Sequence, residues 1–168
     1  MGSVHVRSCL AMILLAVLVA CRQPAPPAAD QASSAATERY VPGLGEIMTL
    51  QQMRHTKLWL AGQAGNWELA GYEIKELQEG FDDVVAFHPT HEDAPVAPKD
   101  AIPRMVTVPL AQLNEIVEKK DAAAFGGAYD KLTEACNGCH EAMNFGFNRV
   151  QRPGANPYPN QVFTPGRK

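Results

Sequence analysis

The sequence predicts an all-α fold, a four-helix bundle, and three observations carry that prediction. Apolar residues recur at steps of three or four from Trp67 to Val84 and again from Phe125 to Met143. The stretch from Gly45 to Gly62 mixes polar and apolar residues without strand-like alternation, and a proline-rich segment separates the two halves of the chain. With 168 residues, 46% of them hydrophobic, the chain suits one compact domain, without internal repeats. A net charge of −3 argues against a basic nucleic-acid binder, so no nucleic-acid partner is expected.

Residues 1–20 read as a signal peptide. Arg7 supplies a positive start, and the apolar run from Leu10 to Ala20 is too short for the roughly 20 residues that span a bilayer. Its end, Leu18-Val19-Ala20-Cys21, resembles a bacterial lipobox, which makes Cys21 the lipidation site and the new N-terminus. An ordinary signal peptide cut nearby is the alternative, and either one takes the domain out of the cytoplasm. Residues 21–43 begin with a Pro/Ala/Ser-rich run that buries too little apolar surface to order itself, and they read as a flexible tether. The expected location is therefore periplasm-facing, held on the bacterial envelope by a lipid. Arg22 stands where an aspartate often retains such proteins at the inner membrane, which favours the outer one.

Residues 44–168 form the expected domain. A first helix covers Gly45–Gly62. A second starts after Asn66, a good N-cap, buries Trp67, Ala70, Ile74, Leu77, Phe81 and Val84, and stops near His88-Pro89. Pro89, Pro95, Pro98, Pro103 and Pro109 make residues 89–109 a crossover loop, on which His88 and His91 read as surface residues. A short third helix turns Leu110, Leu113 and Val117 inward. Asp121 caps a fourth, in which Phe125, Tyr129, Leu132, Cys136, Cys139 and Met143 share one face. An irregular tail follows from Asn144, with Arg149 and Arg152 expected to fold back onto acidic side chains or cofactor carboxylates, residues 68–83 being rich in acids.

Cys136-Asn137-Gly138-Cys139-His140 is the Cys-x-x-Cys-His pattern of c-type haem attachment. On a helix, positions i, i+3 and i+4 share a face, so two thiols can add across the vinyl groups of one porphyrin while the imidazole reaches the iron. The expected cofactor is one covalent haem c. Zinc would need two more ligands; no second Cys-x-x-Cys exists, and His88 and His91 remain as candidates but lie in a loop. A thioredoxin-type disulfide would want a βαβ context, which the sequence lacks.

An attachment motif closing the last helix of an exported helical chain resembles the cytochrome c′ family and its low-spin relatives. The motif likeness covers Cys136 to His140, and the architectural likeness covers roughly Gly45 to Met143. The resemblance implies a haem held between helices, His140 as proximal ligand and a sixth position facing the first helix. The tail, the lipobox and the long crossover depart from that family and point to a lipoprotein subfamily.

The residue in the sixth position separates the functional readings, since Met/His iron suits electron transfer and an open site suits small gases. Met48, Gln52, His55 and Trp59 share one face of the first helix, and Met53 points away. Met48 and His55 are both candidate cofactor-binding residues, about 10 Å apart along the axis, so only one can reach the iron. Antiparallel packing and the family comparison favour Met48 as distal ligand. His55 has the alternative of a buried imidazole bonded to a neighbour. The expected function is a single-electron carrier rather than an enzyme, serving a periplasmic redox partner, as a monomer or a homodimer. The rivals are a five-coordinate, cytochrome c′-type protein that binds or buffers NO or CO, and a haem peroxidase for which His55 alone offers acid-base chemistry.

Overall fold

The computed structural model describes residues 40–92 and 94–166. The signal peptide, Cys21 and most of the tether lie outside the described residues. Within them are five helices and no strand: α1 (Leu44–Gln63), α2 (Trp67–Phe87), α3 (Pro98–Met105), α4 (Thr107–Glu118) and α5 (Ala122–Ala142). None is long and apolar enough to cross a membrane.

Local chemistry fixes the helix ends. The Asn66 side chain accepts from the Leu69 amide at 3.2 Å, and Asp121 Oδ1 accepts from the Ala123 and Ala124 amides at 3.1 and 3.0 Å. α1, α4 and α5 end in the same way, on a residue in the left-handed region: Gly65 (φ 70°), Lys120 (φ 55°) and Asn144 (φ 66°). In each case the next amide reaches back to a carbonyl of the last turn, Asn66 to Ala61 at 2.9 Å, Asp121 to Ile116 at 3.0 Å and Phe145 to His140 at 2.7 Å. Gly65 alone takes that conformation without steric cost.

The crossover departs from the expectation of four helices and a loop. α3 forms inside it, and α4 begins before Leu110. Pro98 opens α3, where a missing N–H costs nothing and a fixed φ helps. Pro109 likewise falls in the first turn of α4. Pro103 lies inside α3 and removes one internal bond from a helix of only eight residues. Burial of Ala101, Ile102 and Val106 accompanies that loss, and Val106 joins the two helices at a bend.

The long helices form a ring in the order α1, α2, α4, α5, with α3 packed on α2, α4 and α5. Short connections make α1/α2 and α4/α5 antiparallel pairs. Every residue of the second-helix stripe from Ala70 to Val84 is buried, as are Leu110, Leu113 and Val117 of α4 and Phe125, Tyr129 and Leu132 of α5. Phe125 lies so close to the backbone of α1 that a Cβ on Gly62 would overlap its ring. Approach between α1 and α5 is the sparsest around the ring.

The tail packs on the bundle and runs back along α5. His140, Asn137 and Asp130 are met in that order by Asn148, Val150 and Arg152. Phe163 is then buried, and the Asn66 side chain donates to the Thr164 carbonyl at 3.4 Å. Arg152 grips both oxygens of Asp130 at 2.6 and 2.5 Å and lies 4.4 Å from the Trp59 ring centroid, while Arg149 meets Glu141 at 3.0 Å. The acids that receive the tail are thus on α5 rather than within residues 68–83.

Candidate functional site

The register between α1 and α5 sets the geometry of the site. His55 bonds to Tyr129 and Thr133, and Trp59 stacks on Phe125, so a step forward along α1 is a step back along α5. Two turns before His55 is Met48, and two turns after Tyr129 and Thr133 come Cys136 and His140. Met48 is therefore level with the cysteine motif.

At this level the α1–α5 seam opens into a cavity of about 370 Å³. Cofactors and drug-sized ligands occupy pockets of about 300–1,000 Å³. Cys136, Cys139, His140, Met48 and His55 all contribute to its lining, so the sequence-predicted site residues converge on one space. Leu77, Phe81 and Val84 of α2, Ile102 of α3 and Leu132 of α5 supply apolar wall.

Each position of the Cys136–His140 turn has its own contact. Cys136 and Cys139 are free thiols facing the cavity. Burial pushes the Cys136 thiol up to about 12 and raises Cys139 as well, so both stay protonated. That environment lacks the electropositive exposure of a reactive redox pair. Asn137 exchanges two hydrogen bonds with the backbone of Val150, donating at 3.0 Å and accepting at 2.9 Å. Gly138 lies against α3, where an added Cβ would meet the Met105 methyl at 3.3 Å. His140 Nδ1 is 2.6 Å from the Asn148 carbonyl oxygen. A carbonyl only accepts, so Nδ1 carries the proton and a neutral ring leaves the Nε2 lone pair free for a metal.

His55 differs in this respect. The Thr133 hydroxyl donates to the Tyr129 carbonyl at 2.9 Å, so its oxygen accepts from His55 Nε2–H at 2.9 Å. In the neutral ring Nδ1 then accepts from the Tyr129 hydroxyl at 2.8 Å, which shares its one proton with the His55 carbonyl oxygen at 3.0 Å. Both ring nitrogens are thus engaged within the protein, and burial lowers the His55 pKa to about 4. His55 forms cavity wall as a neutral, fully bonded imidazole.

Sequence reasoning missed the contribution of the crossover. His91 is not a bystander on a surface loop: it lines the cavity, its Nδ1 is buried without a hydrogen-bond partner, and its ring packs edge-on to Phe145 at 5.4 Å. His88 ties the loop to the chain before α1 through Pro42 O at 2.7 Å. Pro98 and Ile102 wall the cavity from α3, a helix the proline count concealed. Phe145 and Asn148 join from the tail. Among the described residues, no group of three or more His, Cys, Asp or Glu side chains is gathered to hold a metal ion.

A covalently attached haem fits these residues. Two thiols, one imidazole with a free Nε2 and a thioether border a single, largely apolar space, and an unpaired polar atom waits at its wall. No protein-family model matches the chain, and neither does any curated protein or solved structure.

Proposed function

We propose that the protein is a c-type cytochrome that carries single electrons on the periplasmic face of the bacterial envelope, to which a lipid anchors it. The observation that supports this most is the convergence of Cys136, Cys139, Met48 and His140, whose Nδ1 is held by the Asn148 carbonyl, on one cavity. Cys136 and Cys139 would hold the porphyrin through thioether bonds, each thiol adding S and H across a vinyl C=C. His140 and Met48 would hold the iron. The bound group supplies a reversible one-electron couple, whose potential the chain sets through ligand identity and burial.

The rest of the site is built to hold rather than to react. Asn148 fixes the His140 ring and its tautomer, and Asn137 and Gly138 lock the attachment turn to the tail and to α3. His55 has no ring nitrogen left for acid-base chemistry, which weighs against a peroxidase. Export and lipid anchoring rest on Leu10–Ala20 and Cys21 in the sequence. An optical spectrum of the reduced protein with and without carbon monoxide tests the reading. A low-spin spectrum indifferent to carbon monoxide, converted to high spin by Met48→Leu, supports it. A high-spin ferrous form that takes up carbon monoxide readily would instead make this a five-coordinate gas-binding protein of the cytochrome c′ kind.

A further inference from the structure

His91 lines the cavity with a buried nitrogen that the electron-carrier reading leaves without a partner. Leaving a buried imidazole nitrogen with no partner is costly, so its presence in a folded site points to a partner that a ligand brings. The ring is held in place rather than loosely placed. Its edge packs on Phe145, the His91 carbonyl accepts from the Ala94 amide at 3.1 Å, and the preceding His88 is bonded to Pro42 O.

Position decides what that nitrogen could meet. Phe145 is the residue whose amide closes the last turn of α5 onto the His140 carbonyl. His91, packed on Phe145, therefore joins the cavity next to the residue that closes the His140 turn, whereas Met48 reaches the cavity from α1. With His140 and Met48 as the residues that would hold the iron, an imidazole elsewhere on the same cavity wall is left for the polar groups of the macrocycle. The acceptors that a haem carries on its rim are its carboxylates.

We infer that His91 donates its Nδ1–H to a carboxylate of the porphyrin held by Cys136 and Cys139, which orients the macrocycle and raises the reduction potential. This rests on the cytochrome reading above. The donor offsets negative charge near the iron, so it favours the ferrous form.

The test compares three substitutions in the exported, coloured protein. His91→Leu keeps apolar bulk against Phe145 and removes the donor. His91→Asn puts an amide nitrogen where Nδ1 stands, and His91→Gln puts one where Nε2 stands. Reduction potential and the carboxylate bending band in the resonance Raman spectrum are the readouts. His91→Leu and His91→Gln should lower the potential and shift the band, His91→Asn should restore both towards the parent values, and the spin state should not change. A parent-like potential and band in His91→Leu, or equal shifts in the Leu and Asn variants, would overturn the inference and leave the cytochrome reading standing. So would conversion to high spin, which would put His91 on the iron. Colourless protein with the mass of the bare chain would overturn both.

Discussion

Tyr129→Phe is the sharpest probe of how α1 and α5 are held in register. Tyr129 is 0% exposed, and its hydroxyl lies 2.8 Å from His55 Nδ1 and 3.0 Å from the His55 carbonyl oxygen. Removing one oxygen leaves the ring packing with Trp59 and His55 in place and strips the buried Nδ1 of its only donor. An unsatisfied buried acceptor costs about 1–3 kcal/mol, so a loss of about 2 kcal/mol is expected. For a domain of this size that corresponds to a fall in Tm of about 8 °C. Thr133→Val should cost a similar amount by orphaning His55 Nε2–H. Adding His55→Leu to the Tyr129→Phe/Thr133→Val pair should recover most of the loss, because no polar group is then left unpaired. Urea unfolding of the haem-loaded protein measures all four. If Tyr129→Phe is as stable as the parent, or if the triple variant is the least stable of the set, the closed Tyr129–His55–Thr133 circuit is wrong.

Further outcomes follow from individual groups. His55 has its pKa lowered to about 4 by burial, so the native state binds fewer protons than the unfolded one between that value and 6.5. Stability should therefore fall as pH drops through this window, by up to about 3 kcal/mol, in an acid titration of ΔG. Glu73 acts in the opposite sense, since burial raises it from 4.5 to about 6, Lys57 countering in part. It should cost stability as pH rises through that interval, and Glu73→Gln should remove this limb of the profile while leaving the acid limb intact. Lys120→Gly should stabilise by about 1 kcal/mol, relieving a left-handed backbone residue. Arg152→Ala should cost about 1 kcal/mol at low salt and less at high salt, because its half-exposed pair with Asp130 is screened while its contact with Trp59 persists.

Periodicity made α2 and α5 legible, because a stripe of large apolar residues along one helix face is what burial against neighbouring helices demands. The motif was legible for a related reason: its spacing is that of a single helical turn with its two cysteines and its histidine on one side. α3 was not, since a proline reads as a breaker whether it opens a helix, as Pro98 does, or interrupts one, as Pro103 does. His91 was hidden because its role depends on how a loop folds over the bundle end, and no local pattern encodes that. The Asn148 carbonyl that orients His140 is a backbone group, which leaves no mark on residue identity. The sequence places the tail's arginines near acidic side chains or cofactor carboxylates without saying which, and the tail follows α5, where Arg152 meets Asp130 and Arg149 meets Glu141.

The attachment of a porphyrin to Cys136 and Cys139 is the claim on which the functional account depends. Intact mass spectrometry of the chain, matured in an exporting host that attaches haem, tests it most directly. The account predicts a mass raised by one haem over the processed polypeptide, resistant to acid–acetone extraction and lost in the Cys136→Ala/Cys139→Ala variant. A parent chain with the mass of the bare polypeptide, from cells that load other c-type cytochromes, would contradict it.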